Sequence, residues 1–199
     1  MDKKEQIMLA TLDLACEHGL SGVSLGQIAE RVGIKKPSLY NHFESKEKLI
    51  EQMYVYLREK AKMQTSETHF DVSALMQGRS AYEILMTAVG GYAKMNSDTT
   101  MEKFYRLIYA QRTSDAAAAK VVADETKRMI GATKALFYAM QAHKKINCDD
   151  IDTAAMGFAM AVHSILDYAL DCKNCGDAVG EDMLGQYIGW FCKQFAADS

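Results

Sequence analysis

Tyr40, Asn41 and His42 stand side by side, three polar groups of moderate length and limited flexibility. A merely solvated helix face would carry Glu, Lys and Gln, whereas these types suit phosphate oxygens and the edges of bases. Cations flank them. Arg31, Lys35, Lys36, Lys46 and Lys48, set against Glu44 and Glu47, give a local +3 within eighteen residues. A charge run alone is usually a solvated face, so the chemistry must be argued from how these residues are held. Elsewhere the reactive types are sparse. Cys172-Lys173-Asn174-Cys175 is a single C-x-x-C that reads as part of a loop. One such pair is half a zinc site, and no second pair or His-x-x-x-His completes it, so no metal and no cofactor is expected. The pair is either incidental or a redox switch. His163 lies on an apolar helix, where it either orients a ligand or is a hydrogen-bonded core histidine. No defensible Ser-His-Asp spacing, glycine-rich phosphate loop or paired His ligands argue for an enzyme.

The elements that must hold Tyr40 to His42 are short. Ser24 can cap a helix running through Gln27, Ile28 and Ala29 to Arg31, with Ile28 and Val32 pointing inward. Val32-Gly33-Ile34 then turns tightly, Gly33 supplying a positive φ. Pro37 follows in the first turn of a second helix, where its missing N–H leaves nothing unsatisfied. That helix reads as Pro37 to His42, with Leu39 and Phe43 inward and Lys36, Pro37, Ser38, Tyr40, Asn41 and His42 outward. Ser45 opens the next helix with Lys46 at its start, itself a phosphate-binding position. Helix, three-residue turn, helix is a helix-turn-helix, whose second helix lies in the major groove.

The remainder of the chain is helical by pattern. Pro37 is the single proline among 199 residues, against a usual share of roughly 5%. Stripes at i, i+3, i+4 and i+7 recur: Ile7, Ala10, Thr11 and Leu14; Leu49, Met53, Tyr56 and Leu57; Ala81, Ile84, Leu85, Ala88 and Tyr92. A longer stripe takes in Val122, Met129, Thr133, Leu136 and Met140. Asp149 or Asp150 can cap a helix to about Leu170, and Leu184, Ile188, Phe191 and Phe195 form a last stripe. Nothing of useful length alternates with period two, so the expected class is all-α. The longest uncharged stretch, Thr153 to Leu166, is too short for the roughly 20 residues of a membrane span. The five cysteines and the absence of an apolar leader point to the cytoplasm. Overall the chain carries −3, a figure that averages +1 over residues 1–62 with −4 over 63–199.

Residues 7–50 resemble the N-terminal domain of the TetR family of bacterial transcription regulators. The resemblance rests on Ile7-x-x-Ala10, Gly19, Ser24, Ile28-Ala29, Gly33-Ile34, Lys36-Pro37-Ser38-Leu39-Tyr40, His42-Phe43 and Ser45-Lys46-x-x-Leu49. It implies a three-helix DNA-binding domain, residues 1–48, followed by a larger helical domain, residues 49–199, that binds a small molecule and dimerises. The helix from about 45 to 63 would join the two. It also implies roles: Tyr40, His42 and Lys46 as phosphate contacts; Lys36, Pro37, Ser38 and Asn41 as base readers; Gln27 reaching the groove from the preceding helix. Two departures stand out. Ala15 replaces a large aromatic residue, so the core must be filled from elsewhere. Lys35 replaces a small hydroxyl residue, which weakens the helix cap and adds a phosphate contact.

For the larger domain, Tyr92, Phe104, Tyr105, Tyr109, Phe137, Met140, Phe158 and His163 are the candidate walls of a largely apolar effector pocket. Each taken singly also reads as ordinary core. Thr153 to Leu166 is apolar nearly all round and must be covered on every side. Gly157 and Ala161, with Leu184, Ile188, Phe191 and Phe195, are the expected face of a four-helix homodimer interface. The expected function is a repressor, not an enzyme. It would bind a palindromic double-stranded DNA operator as a homodimer, without membrane association, and a small-molecule effector would release it. The alternatives are a redox- or metal-responsive regulator using Cys172 and Cys175, and a cavity-bearing helical enzyme.

Overall fold

The structure, a computed structural model, describes residues 2–67, 72–95, 99–177 and 182–197. Among them the secondary structure is helical apart from one isolated antiparallel bridge between Ile146 and Ala196. The chain divides into two compact units, Met1–Thr68 with Asn96–Asp124, and His69–Met95 with Glu125–Ser199.

The first unit begins with α1 (Lys3–His18), a 3-10 turn at Leu20–Gly22, α2 (Leu25–Val32), α3 (Lys36–Tyr40) and α4 (Lys46–Glu67). The α1 stripe foreseen from spacing is buried, Ile7, Ala10, Thr11, Leu14 and Ala15 all facing in. Of these, Ile7, Leu14 and Ala15 share one core with Ile28 and Ala29 of α2, Leu39, Phe43, and Leu49, Met53 and Leu57 of α4. To this unit the fold adds α7 (Thr99–Gln111) and the first turns of α8 (Ala116–Ala142). On α7, Lys103 Nζ sits 2.7 Å from Asp13 Oδ1, and the Cys16 thiol donates to the Lys103 carbonyl at 3.5 Å. Phe104, the next residue, is fully buried in the same core. Aromatic volume therefore enters the core that holds the small Ala15 from an element distant in sequence. Further along, Arg58 of α4 pairs with Asp124 of α8, which also takes Lys120.

The second unit comprises α5 (Val72–Met76), α6 (Ala81–Met95), the rest of α8, α9 (Ile151–Cys175) and α10 (Met183–Gln194). Its core joins Ile84 and Leu85 of α6, Phe137 and Met140 of α8, Phe158 of α9, and Ile188 and Phe191 of α10. The rings of Phe137, Phe158 and Phe191 lie 4.9–5.3 Å apart in tilted and edge-on pairs, the geometry aromatic quadrupoles favour. Asp150 caps α9 by accepting from the Thr153 N–H at 3.0 Å, one of the two caps read from sequence. The helix then runs to Cys175, five residues past the expected end, and stops at Gly176 in the left-handed region. Cys172 and Cys175 are thus in a helical turn and not in a loop. By length and composition α9 would suffice to cross a membrane, yet Ile151, Ala155, Phe158, Ala159 and Val162 pack inward on this unit's core.

Candidate nucleic-acid interface

Local chemistry sets the helix-turn-helix. Ser24 and Gln27 form a reciprocal capping box: the Gln27 N–H donates to Ser24 Oγ at 3.2 Å, and the Ser24 N–H donates to Gln27 Oε1 at 2.8 Å. Gly33 ends α2 at φ 72°, its N–H donating to the carbonyls of Ala29 and Glu30. The Ile34 N–H reaches the Ala29 carbonyl at 2.9 Å, completing a left-handed cap. Lys35 is the N-cap of α3 and makes no side-chain cap bond, in line with the weakened start expected of it. Pro37 lies in the first turn.

The recognition helix is shorter than its spacing suggests. Helical hydrogen bonding ends at Tyr40, Asn41 is the cap, and the N–H groups of His42 and Phe43 both turn back to the Leu39 carbonyl at 2.9 Å. Burying Leu39 and Phe43 together pulls the chain inward there. Lys35, Lys36, Pro37, Tyr40 and Asn41 remain exposed on one surface, with Ser38 and His42 half-buried among them. Ser45 Oγ accepts from the Lys48 N–H at 3.1 Å and opens α4.

The cations are not equally available. Two hydrogen bonds of 2.8 and 3.2 Å tie Arg31 to Glu17 across α1 and α2, and they hold the Glu17 carboxyl below its usual range. Lys48 pairs with Glu51 at 2.6 Å, which raises the pKa of its ammonium. Lys46 Nζ donates to the Leu20 carbonyl at 3.1 Å, pinning α4 to the 3-10 turn. Gln27 is committed to its cap. Lys35 and Lys36 make no ion pair among the described residues. At the first turn of α1, Lys4 Nζ lies over the Phe43 ring, 5.3 Å from its centroid.

A model of bacterial regulatory proteins of the tetR family matches residues 7–53, and one of the AefR-like transcriptional repressor C-terminal domain matches residues 83–172. The chain belongs to the TetR family. Its TetR relatives include the biofilm operon icaADBC negative transcriptional regulator IcaR of Staphylococcus aureus strain Newman, 32% identical over 114 residues. That match covers 54% of this chain, which spans 60% of the relative's length. Among solved structures, Salmonella enterica GusR aligns at TM-score 0.65 and 21% identity, over 96% of this chain and 95% of that one. A Saccharomonospora viridis regulator solved with choline aligns at TM-score 0.68 and 17% identity, over 98% of both. These two likenesses show that the fold is shared along nearly the whole chain.

The residues expected to line a pocket or a dimer face are distributed over both compact units. Of the eight pocket candidates, Phe104, Tyr105 and Tyr109 lie in the first compact unit, and Tyr92, Phe137, Met140, Phe158 and His163 in the second. Phe104, Phe137, Met140 and Phe158 are buried as core, and His163 Nε2 lies 3.5 Å from Asp167 Oδ2 one turn along α9. Of the proposed dimer residues, Ile188 and Phe191 are 0% and 3% exposed within the protomer, with Leu184 and Phe195 packed beside them. Ile188 and Phe191 thus take part in the protomer's own core, while Leu184 and Phe195 stay half-buried at its edge. Gly157 and Ala161 lie on the other side of α9, at the edge of an outward row of Met156, Met160 and Tyr168, and Trp190 projects from α10. Because α9 is apolar nearly all round, periodicity alone does not orient that row.

The Cys172 and Cys175 thiols occupy the last turn of α9, one buried and one exposed. Cys175 Sγ approaches the Cys172 carbonyl at 3.4 Å and Asp177 Oδ2 at 3.3 Å.

Proposed function

We propose that this protein is a repressor that binds a palindromic DNA operator as a homodimer and is released by a small, largely apolar effector. DNA binding falls to residues 1–48, and effector binding and dimerisation to residues 49–199, in the cytoplasm and without catalysis. The carrying observation is the exposed surface of α3 and its flanks, Lys35, Lys36, Tyr40 and Asn41, on a helix-turn-helix held rigid by a capping box and a glycine cap. Repression is supported by the relative IcaR, a negative regulator. For the dimer, the outward row on α9, with Trp190 of α10, is the surface we assign to a second copy, because a lone protomer leaves these large apolar side chains about half exposed to water. Effector action would be a difference in ligand affinity between two conformations, only one of which fits both half-sites.

Operator titrations of four variants test the reading. Tyr40→Phe and Lys35→Ala remove phosphate partners and should weaken binding roughly three- to tenfold on every sequence alike. Lys36→Ala and Asn41→Ala should instead relax discrimination by about 1–3 kcal/mol at particular base pairs. Parent-like affinity and preference in all four would show that this helix does not read DNA.

A further inference from the structure

We propose that Lys4, outside the helix-turn-helix, is an additional phosphate contact of the DNA-binding surface, positioned by the Phe43 ring. The inference rests on the DNA-binding reading above and extends it to a residue more than thirty positions upstream of the recognition helix. The charge arithmetic of residues 31–48 overstates what can meet DNA, because Arg31 and Lys48 are spent on Glu17 and Glu51, and Lys46 already holds the Leu20 carbonyl. Lys35 and Lys36, with Lys46 held at a neutral carbonyl but still charged, are a thin counterpart for a backbone carrying one charge per roughly 1.7 Å of duplex.

Lys4 supplies what the motif lacks. Its ammonium sits 5.3 Å from the Phe43 centroid, within the roughly 6 Å over which a ring quadrupole attracts a cation. Phe43 itself is fixed, 4% exposed in the core and tied to α3 through its N–H bond to the Leu39 carbonyl. The ring thus holds the cation beside the turn that carries Tyr40, Asn41 and His42. The neighbouring Lys3 is directed elsewhere, donating to Gln6 Oε1 at 2.8 Å. Lys4 makes no ion pair among the described residues, so its charge is unspent.

The test is fluorescence anisotropy of the full chain with a labelled duplex of mixed sequence, across a series of salt concentrations. Lys4→Met keeps an apolar stem over the ring and removes the charge. It should weaken binding roughly three- to tenfold and make the slope of log K against log salt shallower by about 1 per bound protomer. Lys4→Gln should change the slope equally, Lys4→Arg should restore it, and all three should melt with the parent. Parallel salt lines for the parent and both neutral variants would overturn the proposal, leaving Lys4 as a cover for Phe43. A parent without salt-dependent binding would overturn the DNA-binding reading and this contact with it.

Discussion

Tyr56 on α4 donates its hydroxyl to Glu5 of α1, a bond between elements about fifty positions apart. Burial, and then the Glu5 carboxylate, push its phenol up to about 12 from an ordinary 10.0. Because the folded value is the higher one, this contribution to stability is whole below pH 10 and is lost as the pH rises through 12. Tyr54, buried and facing Asp115, is displaced in the same direction. Urea midpoints of the parent should therefore fall between about pH 10 and 12, and Tyr56→Phe should flatten part of that fall. An unchanged alkaline fall in the variant would count against this assignment. At this scale the sequence is most readable where cause and effect are neighbours. Ser24, Gly33, Pro37 and Ser45 take the roles that their spacing dictates. Gln27 and Lys46 were harder. The polar end of Gln27 folds back on its own cap, and Lys46 reaches a carbonyl twenty-six positions away that no local pattern reveals.

Elements were legible in kind and less so in orientation. Most helices stand where apolar stripes and caps placed them, but α5 and α7 had no stripe of their own, α3 ends two residues early and α9 runs five residues long. The stripe Leu184, Ile188, Phe191 and Phe195 was visible as one face of α10. Only tertiary packing shows that this face meets Phe137 and Phe158 within the protomer. The two faces now make opposite predictions. Met160→Lys places a charge on the outward row and should raise the dimer dissociation constant at least about tenfold in sedimentation, with little change in melting. Ile188→Ala should destabilise the protomer by about 2–4 kcal/mol while leaving its association intact. Dissociation by the second variant and not the first would move the interface to α10's inner face and require a different protomer core.

Over the whole molecule, the net −3 conceals a surface of cations around α3 on a chain whose later part is acidic. That asymmetry would turn the face around α3 toward DNA and the acidic later part away from it. The DNA-binding helices also carry α7 and the head of α8 with them, through Lys103 with Asp13 and Arg58 with Asp124. A dimer of the proposed kind needs both half-sites about one helical turn apart. Scrambling one half of an operator should therefore reduce affinity by roughly 100-fold or more, and in the Met160→Lys protein the same change should matter far less. The brevity of α3 gives this a quantitative edge. A reading helix of five residues, one of them a proline with no donor to offer, can distinguish only a handful of base pairs. Such a word recurs by chance throughout any genome, against about a million or more competing positions. Information, more than energy, is then what a single headpiece lacks, and pairing two headpieces squares the number of addresses they can tell apart. Methionines and a tryptophan outside the helix-turn-helix would thus decide which promoter the protein can find.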